Sequence, residues 1–271
     1  MKKLIITLCF ICFSSFAFSQ NKNIVVVDSL NKIPIQFVKI INIETNEVYV
    51  SKINGEFSID NKISNNNYYT DCNGYENKKF EIKNLSDTLF LKKSEIRLRD
   101  VKYTNNKNES IELGNHRDKA KTSKINFEYK KNNIYAVFIK NTENTIDYIK
   151  KIIFKLKKSN SNIVYIRPYV FSVDKFNNPF QEITNNNIVF EVKNNTNIVE
   201  IDVSDFNIEF SENGIFLGFE LINDSKSIKI GIGKSKERNS FILFKKNNKT
   251  IAVPLKIGGD EIFNWQFGIK I

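Results

Sequence analysis

The chain has 271 residues and a formal charge of +11, from 41 Lys and Arg against 30 Asp and Glu. That length suits one large or two small domains, and the positive balance favours partners with anionic surfaces. A single histidine, His116, excludes zinc chemistry of the kind that holds its metal with two imidazoles and a glutamate.

The first twenty residues, MKKLIITLCFICFSSFAFSQ, read as a targeting segment rather than as part of a fold. Lys2 and Lys3 form a positive start, Leu4 to Phe13 an apolar run, and Ser14 to Gln20 a smaller, more polar exit. The run is too short to span a bilayer well. Ala17 and Ser19 are small residues at the −3 and −1 positions, which places cleavage before Gln20, with residues 1–19 as the signal peptide. Ile11 before Cys12 and Leu8 before Cys9 do not suit a lipid-modified cysteine. The expectation is an exported chain, periplasmic or at the cell surface, carrying a charge of +9 once Lys2 and Lys3 are gone. Only Cys72 then remains, so no intrachain disulfide is expected, and the thiol reads as a small, partly buried apolar group.

Downstream, short runs of alternating apolar residues are separated by Asn, Asp, Ser and Gly. FVKIINI (37–43), EVYVSKI (47–53), EFSID (56–60) and TLFLKK (88–93) come first. IYAVFIK (134–140), IVYIRPYVFSV (163–173), IVFEVK (188–193) and FILFKK (241–246) follow. The segment from Asn144 to Lys158 mixes helical and alternating spacing. Its β-branched and aromatic second half favours a strand. Many short strands at this spacing predict an all-β protein of two β-sandwich domains. The polar stretch YTNNKNESIELGNHRDKAKTS lacks a sustained apolar period and reads as a linker over 104–123, with His116, beside Arg117 and Asp118, in solvent. It divides an N-terminal domain at 23–103 from a C-terminal domain at 124–271.

The N-terminal motifs follow a recognisable order. Val26-Val27-Asp28 ends a strand, Pro34-Ile35 makes a step, and Phe37 to Ile43 supplies a central strand. Asn54-Gly55-Glu56-Phe57 then forms a turn, and Gly74-Tyr75 closes the series. In this order the stretch resembles the carboxypeptidase-like regulatory domain, a small prealbumin-like β-sandwich. The resemblance covers about eighty residues and implies a structural module without a peptidase site. The Asn-Gly turn has Lys52 and Ile53 where the family usually carries an acid, so it lacks the oxygens for a cation. It reads instead as a hairpin hinge with positive φ at Asn54 and Gly55, sending Phe57 into the core.

The C-terminal half resembles a domain that accompanies such modules in uncharacterised exported bacterial proteins, and a jelly-roll-like sandwich is expected. The features carrying the resemblance are Arg167, Asn178-Pro179, Ile201 to Ser204, and the Gly214 to Glu220 strand.

Several groups were weighed for chemistry. Asp202, Asp205 and Glu220 are the residue types of a glycosidase acid and base, yet strands and turns carry such acids routinely. Asp174, Asn177 and Asn178 form an oxygen-rich loop that lacks the further acids of a calcium site. GIGKS at 231–235 lacks the first glycine and the strand-to-helix setting of a phosphate loop. Trp265 alternates with Phe263 and Phe267, and core packing is its default. A sugar-stacking platform of Trp265 with Tyr165 or Tyr169 is the alternative. No catalytic residue, cofactor or metal is assigned. The expected role is a non-catalytic binding or interaction module of the bacterial envelope, with a protein or glycan partner and no nucleic acid. The scattered lysines suit anionic surfaces. The alternative is a carbohydrate-binding protein or weak glycan hydrolase in polysaccharide uptake.

Overall fold

A computed structural model describes residues 21–60, 66–94, 110–116, 133–143, 146–158, 163–193, 196–223, 228–246, 249–255 and 262–271. The expected signal peptide lies outside them. The chain is all-β and divides into two compact units, Met1–Glu95 and Ile96–Ile271. No described helix is long and apolar enough to cross a membrane.

Unit 1 carries β1 (Asn21–Asp28), β2 (Lys39–Asn42), β3 (Val48–Val50), β4 (Glu56–Asp60), β5 (Asn67–Asp71), β6 (Lys79–Glu81) and β7 (Thr88–Leu91). One sheet has the order β4-β1-β7, with β1 antiparallel to β4 and parallel to β7. The other has the order β3-β2-β5-β6. Alternation sends one face of each sheet inward. Ile24, Val26, Phe57, Ile59, Leu89 and Leu91 from the first meet Ile40 and Tyr68 from the second in one core. Cys72 is buried there as well.

The central strand begins two residues later than the sequence pattern suggests, at Lys39. Phe37 adopts φ 55°, a left-handed conformation that is strained for an aromatic residue and stops the strand. Ser51 stabilises this corner: its hydroxyl accepts from Val38 N at 2.8 Å and donates to Ile35 O at 3.1 Å.

The Asn54-Gly55 turn also differs from expectation. Gly55 has φ 79°, but Asn54 is not in the left-handed region. Gly55 N donates to Lys52 O at 3.0 Å and Lys52 N to Glu56 O at 2.7 Å. This is the longer loop in which a turn is followed by a left-handed glycine. A two-residue hairpin would keep β3 and β4 in one sheet, whereas this loop carries the chain from one sheet to the other. Phe57 enters the core as expected, at 2% exposure.

Unit 2 carries β8 (Glu112–Gly114), β9 (Ile134–Ile139), β10 (Asp147–Tyr148), β11 (Lys151–Phe154), β12 (Leu156–Lys158) and β13 (Val164–Val173). Then come β14 (Pro179–Glu182), β15 (Phe190–Val192), β16 (Val199–Asp202), β17 (Glu209–Phe210), β18 (Ile215–Leu221) and β19 (Ile228–Ile230). The last are β20 (Ile232–Lys234), β21 (Ser240–Lys246), β22 (Lys249–Pro254), β23 (Phe263–Trp265) and β24 (Phe267–Lys270). Within the 144–158 segment, the described residues 146–158 form the short strands β10, β11 and β12, as the β-branched residues suggest. β8 lies inside the stretch read as a linker and pairs antiparallel with β24, because Leu113 is an apolar residue with a core to enter.

The large sheet runs β14-β13-β18-β9-β21-β22, with β15 also on β13. It curls until its end strands β14 and β22 touch, forming a half-barrel. One face packs against the sheet β16-β11-β24-β8 through Tyr135, Val137, Val170, Leu217, Phe154 and Phe267. Its other face is buried inside the curl, around Ile134, Tyr169, Phe171, Phe216 and Leu243.

Gly55→Val tests the first unit. A Cβ at Gly55 would lie 2.8 Å from Val26 O and 3.0 Å from Pro34 Cβ, and left-handed strain alone costs about 1–3 kcal/mol. Calorimetry should show a clearly lowered melting temperature for the transition of unit 1; an unchanged one contradicts this reading.

Candidate functional site

Of the acids singled out from the sequence, Asp28, Asp174, Asp202 and Glu220 hold backbone or a buried partner. Asp28 ends β1 with 2% exposure. Its Oδ1 accepts from Leu30 N at 2.8 Å and Asn31 N at 3.3 Å, and its Oδ2 accepts from the Tyr75 hydroxyl at 3.2 Å. Lys93 Nζ is 3.9 Å away. The bond from Leu30 N, seconded by those from Asn31 and Tyr75, holds the Asp28 carboxyl below its usual range against the opposing effect of burial. Burial and the Asp28 charge push the Tyr75 hydroxyl up to about 12, so it stays a donor at every ordinary pH. Two motifs far apart in sequence thus meet in one cluster.

Asp174 closes the turn between β13 and β14, where its Oδ1 accepts from Phe176 N and Asn178 N, both at 2.8 Å. Asn177 takes φ 61° there. Those bonds hold the carboxyl of Asp174 below its ordinary range, the one from Asn178 most strongly. Asp202 accepts from Ser204 Oγ at 2.5 Å and Ser204 N at 3.0 Å. Asp205 lies in the short 3-10 turn that follows. No group of three or more His, Cys, Asp or Glu able to hold a metal occurs among the described residues.

Glu220 is 1% exposed on β18, directly across from Arg167 on β13. Arg167 Nη1 donates to Glu220 Oε1 at 2.9 Å, and the Tyr169 hydroxyl donates to the same oxygen at 3.1 Å. Asp202 sits exposed on a different sheet, so the two acids do not form a facing pair.

The three aromatic residues of the sugar-platform reading do not share a surface. Trp265 is 2% exposed in the core between the sheets, 5.5 Å from Tyr135 edge-on and 6.0 Å from Phe267. Tyr169 is 1% exposed on the opposite face of the large sheet, stacked 5.9 Å from Phe171. Tyr165 is half-buried. The alternation of Phe263, Trp265 and Phe267 breaks at Gln266, where the chain passes from β23 to β24 and both flanks are covered. Next to Trp265, Asn264 pins the loop before β21, accepting from Asn239 N at 2.9 Å and donating to Glu237 O at 2.7 Å.

His116 is largely buried. Its Nε2 is 3.2 Å from Glu112 Oε2, and its ring covers Gly268, where a Cβ would fall 1.9 Å from Nδ1. Sequence reasoning assigned it to solvent because nothing local revealed that Gly268 opens a seat for the ring. The GIGKS segment forms part of β20, paired with β23 rather than leading into a helix.

What remains for recognition is apolar and exposed. Leu30 is 88% exposed, Phe176 71%, Phe180 68% and Ile53 64%. A groove of about 500 Å³ beside β5 and β6 is lined by Asn67, Lys78, Lys79, Phe80 and Glu81 among others. It is open, and its lining is mostly polar, with Phe80 and Leu85 the apolar members. The chain matches no protein-family model and no curated protein.

The Asp28 cluster has a pH signature. Its depressed acidity means that the stabilisation is present above the unfolded value near 4 and lost as pH falls through the folded one. Asp28→Asn should lower the melting temperature at pH 7 and differ less from wild type at pH 3. An equal gap at both pH values contradicts the assignment.

Proposed function

We propose that the chain is an exported, non-catalytic binding module of the bacterial cell envelope, with an N-terminal unit of the carboxypeptidase-like regulatory type. The observation that carries this reading is the division of labour among side chains. Asp28, Asp174, Asp202 and Glu220 spend their hydrogen bonds on turns and a buried arginine. Large apolar side chains are offered to solvent, Leu30, Ile53 and Phe176 on short loops and Phe90 and Phe180 on strands. Loops held by sheets are where β-sandwich proteins place their contacts. The link between Asp28 and Tyr75 supports the regulatory-domain resemblance, since it gives the Val-x-Asp and Gly-Tyr motifs a common purpose. Export rests on the arrangement of residues 1–20. A glycan role would need a surface other than Trp265 and Tyr169, which lie in two separate cores.

Expression in a Gram-negative host followed by fractionation and N-terminal sequencing tests the reading. The expected result is a processed chain beginning at Gln20 in the exported fraction. An unprocessed chain in the cytosol would reject it.

A further inference from the structure

In unit 1, exposed apolar side chains and exposed lysines share neighbouring loops and strand ends. The loop Ser29–Ile33 leaves β1 and carries Leu30 and Ile33, which are 88% and 59% exposed. It is not a loose loop. Asp28 caps it from one side, Lys32 N donates to Asp28 O at 3.0 Å, and Asp28 N donates to Ile33 O at 2.9 Å. Lys32 takes φ 61°, which turns the chain back so that its ammonium lies 4.5 Å from the centre of the Phe90 ring. Phe90 is the outward residue of β7, level with Val27 of β1, and is 40% exposed. On the other flank, Ile33 precedes Pro34, which the Lys52–Gly55 turn abuts, and that turn presents Ile53 at 64% exposure. Four large apolar side chains are therefore held outward by a capped loop, a strand and a tight turn.

The charges around them are mostly positive. Lys32, Lys52, Lys78, Lys92 and Lys93 are all exposed on these same segments or next to them. Lys78 Nζ donates to Phe90 O at 3.1 Å, which fixes it beside the ring. The acids nearby are fewer. Asp28 is buried and committed to the loop, Glu76 pairs with Lys92 at 2.9 Å, and Glu56 is half-buried at the start of β4. Exposed apolar side chains with lysines on the same and adjoining segments are complementary to one kind of surface in particular, an anionic lipid bilayer. Such a bilayer offers phosphate charge at the headgroups and hydrocarbon just beneath them.

We infer that the Ser29–Ile33 loop and the Lys52–Gly55 turn dock unit 1 onto anionic lipid, Leu30 and Ile33 entering the headgroup boundary and the lysines meeting phosphate. This rests on the envelope reading above and names its surface. The exposed aromatics Phe176, in the β13–β14 turn, and Phe180, on β14, do not share this setting. Asp174, Glu143 and Glu212 accompany Lys140 and Lys175 at that end of the large sheet, so the named groups there carry no positive excess.

The test uses the mature full-length protein with vesicles of phosphatidylcholine alone or with phosphatidylglycerol at seven to three. Wild type should sediment with the anionic vesicles and not with the neutral ones. Leu30→Ser with Ile33→Ser should weaken that binding at least tenfold with an unchanged melting temperature, and Lys32→Glu about fivefold or more. Phe176→Ser, equally exposed in the other unit, should bind as wild type. Leu30→Trp should shift its emission to the blue on anionic vesicles and be quenched by brominated lipid, against the constant background of buried Trp265. Absence of sedimentation overturns the inference. So does binding that salt abolishes but the Leu30 and Ile33 changes leave intact, which would mean diffuse charge attraction. Self-association that the same changes abolish would assign the patch to a second copy and overturn it as well. Fractionation keeps the two proposals apart: an exported protein indifferent to vesicles rejects only the lipid surface, and a cytosolic one rejects only the envelope reading.

Discussion

Two strands at the centre of unit 2 are buried on both faces, and most of that unit follows from this. β13 and β18 pair along Ile166–Phe171 and Phe216–Leu221. Their residues enter two separate cores: Val170, Leu217 and Phe219 face the smaller sheet, while Tyr169, Phe171 and Phe216 face the inside of the curl. A sheet covered on one side alternates apolar with polar; one covered on both becomes a nearly unbroken apolar run. VYIRPYVFSV and IFLGFEL are such runs. The Arg167–Glu220 pair lies within them, and the Tyr169 hydroxyl donates to the same carboxylate oxygen. Charges taken out of water are tolerable where geometry lets each satisfy the other, and direct opposition across an antiparallel ladder supplies that geometry.

The same economy governs unit 1 on a smaller scale. Asp28 organises a loop, fixes Tyr75 and so joins the end of β1 to the segment after β5. Ser51 does comparable work for the Ile35–Val38 corner. Neither residue is placed for chemistry. Their effect is to make loops rigid, and the rigidity of Ser29–Ile33 is what keeps Leu30 and Ile33 facing solvent. A flexible loop would fold such side chains back against the protein; a capped one presents them.

Much of this was legible in sequence. Strand alternation located the longer elements, β1, β9, β13, β18 and β21 among them, together with the described part of the 144–158 segment, and it did so because strands with one wet face must alternate. Phe57 entered the core for the same reason, and Cys72 did so as the small apolar group a free thiol is. The failures share a cause, which is that they depend on contacts distant in sequence. Phe37 carries no local mark of a left-handed conformation. Asn54-Gly55 has the composition of a two-residue turn, and only the membership of β3 and β4 in different sheets requires the longer one. Leu113 sits in a polar stretch, so β8 becomes visible only once β24 is there to pair with it. His116 looked solvated because its seat is a glycine 152 positions away in the chain. For the aromatics the limit was different. Trp265 and Tyr169 could be assigned to a face of their own strands, but with both faces of the large sheet covered, neither assignment led to solvent.

The most direct test of the doubly covered sheet is a double-mutant cycle on its central pair, followed by denaturant unfolding. Arg167→Met and Glu220→Leu each leave one charge buried without its partner and should each cost roughly 3–5 kcal/mol. Together they remove both charges and should cost much less than the sum. Single variants close to wild type in stability, or losses that simply add, would mean that water reaches this pair and that the sheet is not covered on both faces.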